Sequence, residues 1–364
     1  MQSHDEIMEH TLRLALRGTG KVSPNPRVGC TIVKDGRIIG EGWHREFGGP
    51  HAEVDALNRC TEDPVDAIAY VNLEPCAHSG KTPPCAPLLI EKGIRTVVVA
   101  MQDPNPLVAG KGIAQLRDAG IEVIENICQE QAFWLNRTFV KHILTGFPYI
   151  VGKIAQSLDG CIATASGESQ WITCEESRQE VHRMRSEFDA VMIGRGTAEA
   201  DDPSLTIHSM PGRNPMRIIL DTQCSLPISL KVFNDEFRGL TLYCHGEHIE
   251  HERLQCLQEM GIQTIACALG THQHIDIPSL CTKLGREYGI GSILVEGGGI
   301  LMQELMEQAL LDELHLFIAP IMIGQGKRAS GDYSAQSLAE AYSLHCKGVL
   351  QSGDDIHVIA VKST

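Results

Sequence analysis

His51-Ala52-Glu53, followed by Pro75-Cys76 and then Cys85, decides how the first part of this chain is interpreted. The set offers one imidazole, two thiols and one carboxylate. Three protein ligands leave the fourth tetrahedral position of zinc open for water, as in catalytic sites, whereas structural sites use four ligands. Glu53 stands two residues after the histidine, so it can transfer protons without binding the metal. The motif predicts a catalytic zinc site with His51, Cys76 and Cys85 as ligands and Glu53 as acid and base.

Nucleobase deaminases carry a related pattern, H-x-E followed by P-C-x-x-C. Here eight residues instead of two separate Cys76 from Cys85, so the pattern alone leaves alternatives open. A structural zinc would need a fourth ligand, which His44 or His78 could supply. Coincidence is a further alternative, because the chain has 13 cysteines. The order of the groups and the proline before Cys76 favour the catalytic site.

Length and composition limit the kinds of protein that the chain can be. Its 364 residues exceed one ordinary core and predict two domains, which we place at residues 1–145 and 146–364. The net charge of −15 opposes binding to nucleic acid, so we expect a small-molecule substrate. The first residues lack the pattern of a secretory signal, and no apolar run reaches the roughly 18 residues of a membrane span. We therefore expect a cytoplasmic protein with reduced cysteines, acting away from membranes.

Hydrophobic periodicity predicts α/β structure in both halves. In the first half, Asp35-Gly36 is expected to join two strands in a tight hairpin turn. We expect helices near 5–16, 51–57, 86–92, 112–119, 133–145, 181–188 and 300–309. We expect strands at 28–34, 37–44, 67–73, 96–101, 121–127, 149–155, 190–193, 217–221 and 292–295.

Polar loop residues of the first half are candidates for substrate binding. Asn25 offers a donor and an acceptor to a pyrimidine edge or a ribose hydroxyl, although a turn between two prolines is its ordinary role. His44, His78 and Lys81 could bind an anionic group beside the metal. Asp103 and Asn105 follow a predicted strand, at the end where α/β sheets usually bind ligands.

In the second half, Glu296-Gly297-Gly298-Gly299 lies between a predicted strand and a predicted helix. Glycines in that position let backbone N–H groups approach an anion at the positive end of the helix. A three-glycine turn is, however, more often only a tight turn. The segment alone is therefore a candidate phosphate site with an ordinary alternative.

Together these segments resemble one family, the bifunctional deaminases and reductases of riboflavin biosynthesis. In this family the cysteine ligands have the longer spacing seen here. The resemblance is carried in the first half by Pro24-Asn25-Pro26-x-Val28-Gly29-Cys30, His51-Ala52-Glu53-Val54, Leu73-Glu74-Pro75-Cys76 and Lys81-Thr82-Pro83-Pro84-Cys85. In the second half it is carried by Asp159-Gly160, Gly167-Glu168-Ser169 and Asp201-Asp202-Pro203.

The resemblance implies a cytidine-deaminase-like three-layer α/β/α domain followed by a dihydrofolate-reductase-like α/β domain. It also implies one zinc ion per chain in the first domain and NADPH in the second. The implied reactions are hydrolysis of the 2-amino group of 2,5-diamino-6-(phosphoribosylamino)pyrimidin-4-one and then reduction of the ribosyl side chain to ribityl. We expect a homo-oligomer, either a dimer or a tetramer.

The resemblance further implies the binding residues. For the deaminase substrate they are Asn25, His44, His78, Lys81, Asp103 and Asn105. For the dinucleotide they are Ala155, Trp171, Thr197, Asp201, Gly298, Gly299, Ile300, Leu301, Met302, Gln303 and Glu304. For the reductase substrate they are Ser169, Arg185, Leu205, His208 and Glu296.

Two arginines have open roles. The family usually has arginine where this chain has His208, at a position associated with the substrate phosphate. Arg213 is close in sequence and is an alternative contact for that phosphate. Arg195, between Gly194 and Gly196, could meet the 2′-phosphate of NADPH or be an ordinary loop arginine.

Other functions remain open from the sequence alone. A cytidine- or deoxycytidylate-type deaminase could be fused to another reductase. A nucleic-acid editing module is disfavoured by the acidic charge of the chain. A scaffold with a structural zinc is disfavoured by Glu53, which such a protein would not need.

Overall fold

The computed structural model describes residues 2–77, 84–208, 212–249, 251–270 and 272–363. The chain separates into two compact units, Met1–Gly146 and Phe147–Thr364. The division falls after Gly146, one residue beyond the boundary expected from the sequence. Among the helices of the described segments, none combines the length and apolar character needed to cross a bilayer.

The first unit is built on one mixed sheet. Its strands are β1 (Gly29–Lys34), β2 (Arg37–Trp43), β3 (Ile68–Val71), β4 (Thr96–Val99) and β5 (Glu122–Ile124). Where the structure describes this unit, their order is β2-β1-β3-β4-β5, with β1 antiparallel to its neighbours and β3, β4 and β5 parallel. Asp35 and Gly36 join β1 to β2 with φ values of 49° and 73°, the positive angles that a two-residue hairpin turn requires.

Helices cover both faces of this sheet. They are α1 (His4–Leu16), α2 (Ala52–Asn58), α3 (Cys85–Glu91), α4 (Lys111–Asp118), α5 (Gln129–Leu135) and α6 (Arg137–Thr145). One face packs against Ala56 of α2, Leu89 of α3 and Leu116 of α4. The other packs against α1, α5 and α6. The result is the expected three-layer arrangement, in which the carboxyl ends of β3 and β4 meet at one edge.

The second unit contains a longer sheet. Its strands are β6 (Tyr149–Ser157), β7 (Cys161–Thr164), β8 (Ala190–Gly194), β9 (Met216–Leu220), β10 (Thr241–Gly246), β11 (Gln263–Cys267), β12 (Ser292–Val295), β13 (Glu313–Ala319), β14 (Gly326–Arg328), β15 (Leu344–Ser352) and β16 (Asp355–Lys362). Within the described segments the order is β11-β10-β9-β8-β12-β6-β13-β16-β15, and β7 pairs separately with β14. The run from β11 to β13 is parallel, and β16 and β15 close the sheet as an antiparallel hairpin.

The helices of the second unit are α7 (Glu175–Glu187), α8 (Arg195–Asp201), α9 (Lys231–Asn234), α10 (His251–Glu259), α11 (Ile277–Glu287) and α12 (Gly299–Glu307). One apolar cluster joins the sheet to α11 and α12, and a second joins it to α7, α8 and α9. Both faces of the parallel strands are therefore buried, as their continuous apolar sequences predict.

Candidate functional sites

The three predicted metal ligands come together at two helix starts and one strand end. His51 is the N-cap residue of α2, and Cys85 is the first residue of α3. Cys76 follows β3 and accepts a hydrogen bond at its Sγ from the Cys85 backbone N–H, at 3.3 Å. The sequence spacing therefore corresponds to a real cluster.

The cluster has the dimensions of a zinc site. His51 Nδ1 lies 3.2 Å from Cys85 Sγ and 3.6 Å from Cys76 Sγ. The three ligand atoms all lie within 4.8 Å of one another. Zinc bonds of about 2.3 Å to sulfur and about 2.0 Å to nitrogen, at tetrahedral angles, would separate N from S by roughly 3.5 Å. The residues present therefore fit a zinc ion.

Hydrogen bonding within the cluster favours a thiolate at Cys76. Hydrogen bonding with the Cys85 thiol and with His51 lowers the pKa of Cys76 to about 4, whereas the same contact with Cys76 raises the pKa of Cys85. Glu53, on the first turn of α2, is 3% exposed and is in hydrogen-bond contact with Cys85. Burial raises the pKa of this carboxyl.

Asn25 and His44, two predicted substrate residues, lie beside the cluster. Asn25 Nδ2 is 3.1 Å from His44 Nε2, and His44 Nδ1 is 2.9 Å from the carbonyl oxygen of Pro50. The imidazole of His44 meets that of His51 edge-on, with 5.9 Å between ring centroids. Burial lowers the pKa of His44, which favours a neutral ring next to the metal ligand.

Asp103 and Asn105 are held near Cys76 by a residue that the sequence reasoning missed. The Glu74 carboxylate, two positions before Cys76, accepts the backbone N–H of Asp103 at 3.1 Å. Asn105 N in turn donates to Asp103 Oδ1 at 2.8 Å. Glu74 stands at the end of a strand that the sequence predicts to be buried, and an acidic residue in that place was the signal that could have identified it. The other two predicted contacts, His78 and Lys81, lie outside the described residues.

The second unit has a site around a buried ion pair. Arg185 of α7 donates from Nε to Glu296 Oε1 at 2.6 Å and from Nη2 to Glu296 Oε2 at 2.9 Å. A third bond, from Arg185 Nη1 to Thr206 O at 3.0 Å, adds the loop that follows α8. Burial opposes ionisation of Glu296, but Arg185, with smaller contributions from Lys153 and His182, holds the pKa of Glu296 below its ordinary value. Two residues predicted for substrate binding are thus in direct contact.

Lys153 belongs to this site, although the sequence reasoning did not select it. It lies on β6 among Glu296, Arg185 and Asp201. Burial lowers the pKa of its amine, and Arg185 adds to that effect while the two carboxylates oppose it. A lysine between Gly152 and Ile154 in an apolar strand was the signal that could have identified it.

Several predicted cofactor residues gather around the start of α12. Gly298 N donates to Thr197 Oγ1 at 3.0 Å, which joins the three-glycine turn to α8. A Cβ on Gly299 would lie 2.7 Å from the carbonyl oxygen of Arg328, so only glycine allows this approach. Nearby, Ser169 Oγ donates to Asp201 Oδ1 at 2.7 Å. Ala155 is on β6, opposite Phe317 of β13.

Exposure separates the predicted cofactor and substrate contacts into two groups. Trp171 and Ile300 are 70% and 66% exposed, so their side chains are available to a ligand. The side chains of Leu301, Met302 and Leu205 are buried in the core, so contacts from these residues would have to come from the backbone. Two further predicted residues bond within the unit: Gln303 Oε1 accepts Asp332 N at 3.0 Å, and Glu304 Oε2 accepts Gln308 Nε2 at 2.8 Å.

The residues proposed for phosphate groups occupy different places. His208 is exposed, its Nε2 lies 2.8 Å from Ser204 Oγ, and its ring meets that of His182 at 5.2 Å. Arg213 instead donates to Asp189 Oδ1 at 2.9 Å, at the amino end of β8. Arg195 is the first residue of α8, where its Nη1 lies 3.6 Å from Glu199 Oε2.

Two known families account for most of the chain. Residues 1–101 match the cytidine and deoxycytidylate deaminase zinc-binding region. Residues 148–358, more than half of the chain, match the RibD C-terminal domain. The first match contains all of the cluster described above, and the second contains the Arg185–Glu296 pair.

Comparison with individual proteins extends the likeness over both units. The riboflavin biosynthesis protein RibD of Actinobacillus pleuropneumoniae is 39% identical over 96% of this chain and 93% of its own length. The structure of Acinetobacter baumannii RibD superposes with a TM-score of 0.89 at 38% identity and covers 99% of both chains. A Thermotoga maritima diaminohydroxyphosphoribosylaminopyrimidine deaminase/5-amino-6-(5-phosphoribosylamino)uracil reductase gives 0.87 at 35% identity, over 99% of this chain and 98% of that one. This chain therefore belongs to the RibD family of riboflavin biosynthesis proteins.

Proposed function

We propose that the chain catalyses two consecutive steps of riboflavin biosynthesis, a deamination in the first unit and a reduction in the second. The Thermotoga maritima relative is described as a deaminase and reductase of this kind. The observation that carries the proposal is the His51–Cys76–Cys85 cluster with buried Glu53, in one chain with the Arg185–Glu296 pair.

The first reaction replaces the 2-amino group of 2,5-diamino-6-(phosphoribosylamino)pyrimidin-4-one by oxygen and releases ammonia. Zinc held by His51, Cys76 and Cys85 would lower the pKa of water and so provide a nucleophile at neutral pH. We assign the proton transfers to Glu53. It would take a proton from the attacking water and pass it to the ring nitrogen, and then take one from the hydroxyl added at the reacting carbon and pass it to the departing amine. Its carboxylate is not one of the three ligand groups, so it is free for this role.

Substrate binding in the first unit is assigned to residues around this cluster. The Asn25 amide and the His44 ring can present hydrogen-bonding groups to the pyrimidine or ribose. Asp103 and Asn105 follow β4 and are linked to the Cys76 segment through Glu74. His78 and Lys81 remain proposed contacts on sequence grounds.

The second reaction reduces the ribosyl side chain of 5-amino-6-(5-phosphoribosylamino)uracil, in its open, imine-like form, to ribityl. NADPH supplies the hydride when bound. The three-glycine turn at the start of α12 suits a phosphate group of the dinucleotide, and exposed Trp171 suits one of its rings. Thr197, Asp201, Ala155 and the segment 298–304 complete the proposed cofactor site.

Charged groups are assigned to hold the reductase substrate. Glu296, kept ionised by Arg185, accepts hydrogen bonds from sugar hydroxyls. Beside it, Lys153 supplies a half-buried amine whose pKa is lowered by desolvation. Ser169, Leu205 and His208 are the further proposed contacts, and His208 is assigned to the phosphate because Arg213 pairs with Asp189.

We also propose a homo-oligomer, either a dimer or a tetramer, in the cytoplasm. The strand β15, at one end of the second sheet, carries exposed Val349 and Leu350, and Ile356 of β16 is exposed beside them. Burying such apolar residues against a second copy would be favourable. Sedimentation equilibrium of the purified chain tests the assembly, and a purely monomeric protein at micromolar concentration would contradict it.

Incubation with the diaminopyrimidine, with and without NADPH, tests the whole proposal. Without NADPH the product should have exchanged one amino group for oxygen. With NADPH it should also have gained two hydrogen atoms. Cytidine and deoxycytidylate serve as comparison substrates, and a clear preference for either would overturn the proposed substrate.

A further inference from the structure

Glu74 is a buried residue that no reaction step above uses. It lies two positions before Cys76 and is 6% exposed. Its backbone N–H donates to the carbonyl oxygen of Met101 at 3.0 Å, which joins the segments that follow β3 and β4. The carboxylate makes a different set of contacts, all with the chain beyond β4.

Each oxygen of this carboxylate accepts two backbone N–H groups. Oε2 accepts Asp103 N at 3.1 Å and Gly110 N at 2.9 Å. Oε1 accepts Gly112 N at 2.8 Å and Ile113 N at 3.2 Å. Four charge-assisted bonds compensate for burying the negative charge.

The two bonds to Oε2 fix both ends of one loop. Asp103 begins this loop and Gly110 ends it. Between them, Asn105 N donates to Asp103 Oδ1 at 2.8 Å, and Leu107 N donates to Asn105 Oδ1 at 3.0 Å. The two side chains proposed to bind substrate therefore lie in a loop whose ends are held by a single oxygen of Glu74.

The two bonds to Oε1 fix the start of α4 against the metal-binding segment. The first N–H groups of a helix lack partners within the helix and form its positive end. The N-cap residue of α4 is Gly110, whose lack of a side chain leaves Glu74 to cap the helix. A Cβ on Gly112 would lie 1.9 Å from the carbonyl oxygen of Pro75, so the helix start contacts the backbone next to Cys76.

From this arrangement we infer that Glu74 is a positioning residue for deamination, which sets Asp103 and Asn105 relative to Cys76. The inference rests on the proposed function, because it takes Asp103 and Asn105 as substrate contacts. A glutamine would have nearly the same shape, but its NH₂ group would face two backbone donors instead of accepting from them. Charge and acceptor number, not size, are therefore what the position requires.

The test is Glu74→Gln in the full-length, zinc-loaded protein. We expect the KM of deamination to rise at least about tenfold with a much smaller change in kcat, because contacts away from the reacting carbon bind substrate and transition state alike. Zinc should stay at about one ion per chain, and reduction of supplied uracil intermediate should be unchanged. Amide hydrogen exchange over residues 103–113 should be faster than in the wild type.

Two further variants complete the experiment. Glu122→Gln is the matched control, because the Glu122 carboxylate on β5 accepts from the Thr96 hydroxyl at 3.0 Å and not from the loop. It should change neither KM nor exchange over residues 103–113. Glu74→Asp keeps the charge and both acceptor oxygens, so it should recover part of the KM, and it replaces Glu74→Gln if that variant does not fold.

Two results would overturn the inference. One is a Glu74→Gln protein with unchanged KM and unchanged exchange over residues 103–113. The other is loss of zinc with unchanged exchange, which would make Glu74 a support for Cys76 alone. A wild-type protein that fails to deaminate the diaminopyrimidine would overturn the proposed function instead, while the exchange measurement would still test the loop contacts.

Discussion

The two sites of this chain are assembled in different ways. In the first unit the metal-binding set and Glu53 all lie between residues 51 and 85, at two helix starts and one strand end. In the second, the proposed residues lie on β6, α7, α8 and α12 and in the segments that precede α7, follow α8 and follow β12, between residues 153 and 304. A short motif with known metal chemistry can be interpreted from spacing alone. A site spread over several helices, strands and loops acquires its chemistry only from tertiary contacts such as Arg185–Glu296.

In each unit, nevertheless, one buried charged side chain holds a binding loop. The charge is negative in the first unit and positive in the second. In the first, the Glu74 carboxylate collects backbone N–H groups. In the second, the fully buried Arg217 donates to the carbonyl oxygens of Ser204 and Val232, at 3.0 and 2.9 Å, and pairs with Asp235. Ser204 directly precedes the proposed substrate residue Leu205. In both units one buried charge thus fixes a loop that carries predicted substrate contacts.

Zinc removal should separate the two halves most sharply. Chelation should abolish deamination and leave reduction of the supplied uracil intermediate intact, since all three ligands lie in the first unit. Metal analysis and the two assays on the same sample provide the measurement. Loss of both activities in a protein that is still folded by circular dichroism would contradict the separation.

Glu53→Gln should separate zinc binding from proton transfer in the first site. Zinc should stay bound, while deamination should fall by about 10²–10⁴-fold, as expected for loss of a general acid and base. The matched control is Glu62→Gln, because the Glu62 side chain is partly exposed and pairs with Arg37. It should leave the rate unchanged. Zinc content near zero in Glu53→Gln would make Glu53 a ligand and its assigned role wrong.

Arg185→Met tests whether the second site depends on its buried pair. It leaves the Glu296 carboxylate, 8% exposed, without its bidentate partner, so unfolding should become easier by about 3–5 kcal/mol and reduction should be lost. Arg183→Met is the control on the same helix. Arg183 pairs with Glu180 and Glu187 but is 47% exposed, so its removal should cost at most about 1 kcal/mol. If both variants lose the same free energy of unfolding in urea, the buried pair stabilises the protein no more than the exposed pair does.

Local patterns predicted the first unit well where the pattern and the tertiary structure agree. The hairpin at Asp35-Gly36 and the ranges of α1 and β1 lie within a residue or so of expectation. The single helix expected over 133–145 was wrong, because the chain forms α5 and α6 with a break at Asn136. The Asn136 side chain bonds the backbone N–H and carbonyl of Arg27, a distant contact that no local periodicity contains.

In the second unit, polar residues inside elements concealed the pattern. We expected this helix to begin at Val181, because its first turns are polar and lack an apolar pattern. In the structure it begins at Glu175. The sequence did not predict strands β13 and β16, because each has a histidine inside its apolar run. These residues, His315 and His357, are buried, and His315 Nδ1 lies 2.8 Å from His357 Nε2 across the two paired strands. Lys153 and Glu74 were passed over for a related reason. A charged residue in an apolar stretch is identified as a site component only when its partners are known.

The smallest expected effect concerns His208, which stands where the family usually has arginine. Arginine keeps its charge at any working pH and offers more donors to a phosphate. His208→Arg should therefore lower the reductase KM, and His208→Ala should raise it, each by about two- to fivefold, because the side chain is exposed and its charge is screened. His272→Arg, at an exposed position elsewhere in the same unit, makes the same substitution and should leave KM unchanged. If both His208 variants keep the wild-type KM, the phosphate lies elsewhere; Arg213 is then tested by Arg213→Ala, although its pairing with Asp189 argues against it.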